Sequence, residues 1–258
     1  MSAPMLVARN VTVRLGGRPI VTGANLALRG GELVALVGPN GAGKTTLMRA
    51  LAGLLPAEGD ITLGDRPLAA LAPRERARAI AYLPQGHVFH WPMRADAIVA
   101  LGRHPHADPL AAPSEADRAA VAQALEATGA TALGPRLVST LSGGERARIA
   151  LARALATQAS ILLADEPTAA LDPRHQLVVM GLLRATARNG GSVLAILHDL
   201  ALAARFADRV VVMSDGALIA DAPPAEALAP ARLAETFGIE AVMVDGGDGL
   251  VPLARRPI

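Results

Sequence analysis

The chain has no cysteine, and among its 258 residues there are only one tyrosine, one tryptophan and three phenylalanines. Without cysteine there is no disulfide, no thiol catalysis and no thiolate metal site. No run approaches the roughly 20 uncharged apolar residues that a membrane-spanning helix needs. The first ten residues carry neither the charged start nor the apolar run of a signal peptide. The expectation is a soluble, cytoplasmic protein. An excess of charge of either sign is missing too: 25 Lys+Arg against 23 Asp+Glu leaves +2, which is no argument for a nucleic-acid partner. What is present is apolar. A 52% hydrophobic composition over 258 residues suffices for a large core and fits a single elaborate α/β domain.

Lysine is the scarcest cation. Lys44 stands alone, and every other positively charged side chain is arginine. A guanidinium is a planar fork, whereas an ammonium is a compact charge with rotatable donors that fits inside a tight ring of backbone amides. Lys44 lies in such a ring. Gly38-Pro39-Asn40-Gly41-Ala42-Gly43-Lys44-Thr45-Thr46 follows the apolar run Leu33 to Val37 and leads into the helical pattern Leu47 to Leu55. Glycines let amides turn toward phosphates, the helix start adds unsatisfied donors, Lys44 reaches the terminal phosphates, and Thr45 can ligate Mg²⁺.

Further apolar runs of strand length, at Ala79 to Leu83, Ile161 to Ala164, Ser192 to Leu197 and Arg209 to Met213, alternate with helical stretches. They read as buried parallel strands. Leu6 to Val13 and the turn Gly16-Gly17 read as a separate antiparallel sheet. Between His87 and Ala150 alanine-rich helical patterns take over, including Ser114 to Thr128 with Ser114 as cap and Asp117 in its first turn. After Asp215-Gly216 a short strand, a helix to about Phe237 and a turn-rich segment around Gly246-Gly247 are expected. The fold class is α/β: a P-loop nucleotide-binding core with a mostly parallel sheet, an N-terminal antiparallel β-subdomain and an inserted α-helical subdomain. Core and β-subdomain take about 1–86 and 154–220, the helical part about 87–153, and a C-terminal extension about 221–258.

The phosphate loop alone says nucleoside triphosphate. Ile161-Leu-Leu-Ala-Asp165-Glu166 adds two acids where an apolar strand ends, at the edge where open α/β sheets bind ligands. Alternation along a strand gives them different tasks: Asp165 suits a Mg²⁺ shell, and Glu166 suits a general base for the attacking water. Leu141-Ser142-Gly143-Gly144-Glu145 then opens the helical pattern Arg146 to Ala156. A second cradle about a hundred residues past the first needs either another ligand or another subunit, unless it is a plain N-cap with a glycine hinge.

With these elements the chain resembles the ATP-binding-cassette (ABC) ATPases over nearly its whole length. The order is the phosphate loop at Gly38 to Thr46, Gln85 after Ala81-Tyr82-Leu83-Pro84, Leu141 to Glu145, Ile161 to Pro167, Ala170-Leu171-Asp172, and His198-Asp199. The resemblance implies ATP and Mg²⁺ as cofactors. It implies that Gln85 touches Mg²⁺ or the water, that His198 contacts the γ-phosphate, and that a second copy, head to tail, supplies Ser142, Gly143 and Gly144. Leu15 aligns where the family usually has an aromatic residue to stack on adenine, which weakens preference for ATP over GTP. Ala164, where the family often has a larger apolar residue, affects packing only.

Cassettes that act on nucleic acid or protein complexes carry a long coiled coil or two cassettes per chain, and neither pattern is present. A stand-alone cassette resembles the motor of a transporter, peripheral on the cytoplasmic face of the inner membrane. Its partners are then a separate transmembrane permease and, indirectly, a substrate-binding protein, with no nucleic acid. Val99-Ala-Leu-Gly-Arg103-His104-Pro105-His106 and Glu235-Thr-Phe-Gly238 are similar to importers of iron-siderophores, haem and vitamin B12. His87, His90, His104 and His106 crowd one region as HxxH and HxH, yet no carboxylate or cysteine pattern completes a metal site. A loop facing the membrane partner is the preferred reading.

Overall fold

The computed structural model describes residues 4–258 except 87, 88, 90, 91, 109, 110, 170 and 248. Two long antiparallel strands, β1 (Pro4–Leu15) and β2 (Arg18–Arg29), open the chain. They are joined through Gly16 and Gly17, whose φ of 56° and 79° a side chain would resist. β3 (Leu33–Val37) follows and gives way to α1 (Lys44–Leu51). Next come β4 (Glu58–Leu63), β5 (Arg66–Pro67), α2 (Pro73–Ala79) and β6 (Ile80–Leu83). The stretch between β6 and the next strand holds α3 (Ala95–Ala100), α4 (Glu115–Ala127) and α5 (Gly143–Ala156). Strand and helix then alternate through β7 (Ile161–Asp165), α6 (Pro173–Arg188), β8 (Ser192–Ile196), α7 (Leu200–Phe206), β9 (Arg209–Ser214) and β10 (Ala217–Ala222). The chain closes with α8 (Pro224–Ala227), α9 (Pro230–Phe237), β11 (Ile239–Asp245) and β12 (Leu250–Pro257).

The central sheet has the order β10-β9-β3-β8-β7-β6. Strands β9, β3, β8, β7 and β6 run parallel, and β10 pairs antiparallel at the edge. Parallel strands must be covered on both faces, so their runs are apolar except at their ends. Alternation then sorts the side chains into two layers. Leu33, Ala35 and Val37 join a core with residues of α5, α6 and α7. Val34 and Leu36 face the other way, into a core shared with α1 and with the N-terminal sheet, whose order is β2-β1-β4-β5. A third core lies among α3, α4 and α5. Helix α5 serves two of them: Ala147, Ala150 and Leu151 face the sheet, while Ile149, Ala152 and Ala156 face the helical lobe.

One buried ion pair ties that lobe to α5. Arg103 donates to Asp117 Oδ1 at 2.8 Å, to the Ala156 carbonyl at 2.9 Å and to Gln158 Oε1 at 3.0 Å. It thereby satisfies carbonyls that the end of a helix leaves open. Beside it, Gly102 passes so close that a Cβ would stand 2.2 Å from the Arg153 carbonyl oxygen. Ser114 caps α4 as the sequence suggests, and Asp117 returns the bond to form a reciprocal cap.

Two expectations need correction. Helix α1 runs from Lys44 to Leu51, not from Leu47 to Leu55. The apolar pattern misses the Lys44-Thr45-Thr46 turn, and Gly53, at φ 68°, ends the coil early. The turn-rich C-terminal segment is in fact a hairpin, with β11 and β12 paired from Ile239↔Pro257 to Asp245↔Leu250.

Candidate functional site

The parallel strands deliver four chain segments to one edge. Beyond the carboxyl ends of β3, β6, β7 and β8 lie the phosphate loop, Gln85, Asp165-Glu166 and His198. This is where open α/β sheets hold ligands. A cleft of about 700 Å³ opens there, lined by Ile20, Asn40, Gly41, Ala42, Gly43, Lys44, Thr45, Thr46, Gln85, Glu166 and His198.

Close approach dictates two of the loop's glycines, and Gly41, with open space around it, is instead required by its φ of 82°. A Cβ on Gly38 would stand 2.0 Å from the Met213 carbonyl oxygen, and one on Gly43 would stand 2.7 Å from that of Ile20. Gly43 also precedes α1 at φ 101°, and no side chain caps the helix. Its first amides therefore point into the cleft with the positive end of the helix dipole behind them. Lys44 is buried, and its ammonium donates to the carbonyls of Gly38 at 2.7 Å and Pro39 at 2.8 Å. Burial lowers its pKa, while the carboxylates of Glu166 and Asp165 pull it back up.

The two acids part, but through a turn rather than strand alternation, because β7 ends at Asp165. Asp165 is fully buried at the end of β7, with Oδ1 accepting from Thr45 Oγ1 at 3.1 Å and Oδ2 from the Tyr82 hydroxyl at 3.3 Å. Burial raises its pKa, and the hydrogen bonds from Thr45 and Tyr82 act against that rise. Glu166 leaves the strand with φ 52°, a left-handed conformation that is costly for a side chain of this size. Its carboxylate lies in the cleft, and His198 Nε2 stands 2.6 Å from Oε1. An ionised carboxylate only accepts, so the imidazole carries its proton on Nε2. Asp199 caps α7 by accepting from the amides of Ala201 and Leu202, which fixes the chain immediately after His198. Thr45, Asp165 and Gln85 offer the hard oxygen donors that suit Mg²⁺.

Ser142, Gly143 and Gly144 are not in this cleft. They begin α5 at a distinct place, where Ser142 Oγ accepts from the Glu145 amide and Glu145 Oε2 accepts from the Ser142 amide at 2.7 Å. The serine is thus a working N-cap, and Arg136 holds the other Glu145 oxygen at 2.8 Å. Ser142 and Gly143 are nonetheless exposed, and a Cβ on Gly143 would meet nothing within 4 Å. Asp172 caps α6, while Ala170 lies outside the described residues.

Sequence reasoning missed Tyr82, Arg49 and Ile20. Tyr82, like Lys44, is the sole residue of its type, and that rarity is the available signal. Leu15 is exposed at the end of the first hairpin and does not line the cleft, whereas Ile20 does. Of the four clustered histidines, His87 and His90 lie outside the described residues. His106 Nε2 is 2.9 Å from the Thr157 carbonyl and so donates to the end of α5. Among the described residues no group of three or more His, Cys, Asp or Glu is placed to hold a metal ion, and no helix is long and apolar enough to cross a membrane.

Known proteins resemble this chain in sequence and in fold. The family described as ABC transporter matches residues 21–169. The hemin import ATP-binding protein HmuV of Streptomyces coelicolor is 47% identical over 234 residues, covering 90% of this chain and 83% of its own. The protein of the same name from Pseudomonas aeruginosa is 42% identical over 245 residues, covering 93% and 94%. Among solved structures, a metal-chelate type ABC transporter in an inward-facing conformation superposes with a TM-score of 0.83 at 25% identity, over 97% of this chain and 98% of that one. A dimeric ATP-binding cassette in a post-hydrolysis state, bound to ADP and Pi, superposes with a TM-score of 0.76 at 26% identity, over 85% and 99%. With its phosphate loop, acidic strand end and glycine-rich helix start in family order, this chain belongs to the ABC transporter family as an ATP-binding cassette.

Proposed function

We propose that this chain is the ATP-hydrolysing subunit of an importer of haem, seated on the cytoplasmic face of the membrane against a separate permease. The observation that carries the cargo is the relatives themselves: proteins from several bacteria, 41–47% identical over at least 90% of this chain, are named hemin import ATP-binding proteins. Siderophore and cobalamin uptake are less well supported by those names. A nucleic-acid or ribosomal role has no feature in its favour.

The residues divide the chemistry. The amides of Gly41 to Thr46 and the Lys44 ammonium bind the phosphates. Lys44 turns from the Gly38 and Pro39 carbonyls to do so, and the low-dielectric loop strengthens each contact. Thr45, Asp165 and Gln85 would hold Mg²⁺, which supplies charge neutralisation at the phosphates when bound. Glu166 takes a proton from the attacking water, a task worth roughly 10²–10⁴ in rate. His198 holds the Glu166 carboxylate in place and lies where the γ-phosphate arrives. Ser142, Gly143 and Gly144 of a second copy close over the same nucleotide. The exposure of Ser142 and Gly143 at a helix start, away from their own cleft, supports that head-to-tail pairing. Closure and reopening of the pair drive the permease.

The test is capture of tagged Glu166→Gln protein from solubilised membranes with Mg-ATP present. A stoichiometric polytopic membrane protein is the expected partner. Recovery only in the soluble fraction, with nucleic acid or ribosomes, would overturn the proposal.

A further inference from the structure

The hydroxyl of the chain's single tyrosine bridges three elements of the nucleotide site. Tyr82 stands on β6, three residues before Gln85, and its hydroxyl donates to Asp165 Oδ2 at 3.3 Å. Arg49 Nε, on the helix that the phosphate loop begins, donates to the same hydroxyl oxygen at 3.5 Å. A phenol has one proton to give and can accept others. Receiving from Arg49, Tyr82 keeps its proton for the carboxylate.

Asp165 is fully buried, and each of its oxygens has one named donor: Thr45 on Oδ1 and Tyr82 on Oδ2. Without Tyr82 the Thr45 contact is the one named hold on the carboxylate among the described residues, and Oδ2 is left buried without its phenol partner. The ring itself packs against the core between the two sheets, so a phenylalanine keeps the packing and removes the hydroxyl alone.

We propose that Tyr82 is a positioning residue that fixes the Asp165 carboxylate for Mg²⁺ and links it to the strand carrying Gln85. The inference rests on Asp165 and Thr45 being the Mg²⁺ side of the site. It adds that a phenol outside the metal's own contacts sets how tightly Mg²⁺ is held, and that occupation of the metal site is felt on β6.

Two measurements on the full chain test it. Calorimetric titration compares ATP binding in EDTA and across a Mg²⁺ series for the unsubstituted protein and Tyr82→Phe. ATP affinity in EDTA should agree within about twofold, while the half-saturating Mg²⁺ concentration rises roughly three- to tenfold in Tyr82→Phe. Equal Mg²⁺ dependence in both proteins overturns the proposal alone, as does an EDTA affinity that falls as much as the Mg²⁺ response. Absence of any Mg²⁺ dependence in the unsubstituted chain overturns the Mg-ATP reading as well. Should Tyr82→Phe fail to fold, biosynthetic 3-fluorotyrosine gives one ¹⁹F resonance in the unsubstituted protein. That resonance should shift when Mg²⁺ is added to the ATP-bound chain, and an unmoved line contradicts the link.

Discussion

His198 Nε2 and Glu166 Oε1 are 2.6 Å apart, so residues that follow two neighbouring parallel strands form one hydrogen-bonded pair in the cleft. The pairing is made possible by the left-handed turn at Glu166, which carries its carboxylate away from the buried Asp165. With Glu166 as the proposed base, this contact orients the carboxylate before a water arrives. Glu166→Gln should therefore bind ATP with near-normal affinity and hydrolyse it roughly 10²–10⁴ times more slowly. Single-turnover hydrolysis beside equilibrium nucleotide binding checks both halves.

Lys44 is enclosed by the loop it serves. Lys44→Ala should lose nucleotide affinity by at least roughly tenfold, because a charge-assisted contact to phosphate is removed. Lys44→Arg should not restore it. The planar fork cannot occupy a position that is 7% exposed and bonded to two loop carbonyls. Fluorescent-nucleotide titration of both variants decides the point.

Much of this was readable in residues. β3, β7, β8 and β9 are almost wholly apolar because both faces are covered, and that composition is visible without a structure. The phosphate loop and the acidic strand end are equally visible, since close backbone approach at Gly38 and Gly43 demands glycine and two consecutive acids close an apolar run. The β11–β12 hairpin was not. Its outward face, with Leu253 54% exposed, blurs the alternation that marks a strand. Nor was the hydroxyl of Tyr82, which lies 83 positions from its carboxylate partner, so no local spacing encodes the contact. The cap that Ser142 makes on α5 is legible in its place before a helical pattern, whereas a contact between copies has no signature in one chain's spacing.

The Arg103–Asp117 pair sets an acid limit on the helical lobe. The Ser114 hydroxyl and then the Arg103 guanidinium hold the Asp117 pKa at about 2. A depressed carboxylate contributes stability that is fully present above its unfolded pKa, about 3.9, and is lost as pH falls through about 2. Urea midpoints measured from pH 5 to pH 2 should fall for the unsubstituted chain, with a shallower fall for Asp117→Asn.

Gly102 is predicted to tolerate no side chain. With a Cβ 2.2 Å from the Arg153 carbonyl, Gly102→Ala must push α5 away from the preceding segment. Overpacking of this kind costs roughly 1–3 kcal/mol. Gly143→Ala, where a Cβ meets nothing within 4 Å, should leave the unfolding midpoint close to normal. Denaturation of the two variants side by side separates crowding from a general effect of losing glycine.

Uptake of labelled haem by the cell of origin tests the central claim most directly. With the native gene deleted, uptake should be lost, restored by the unsubstituted chain and not restored by Glu166→Gln expressed to the same level. Haem uptake that persists in the deletion strain, or that Glu166→Gln restores in full, would contradict the account.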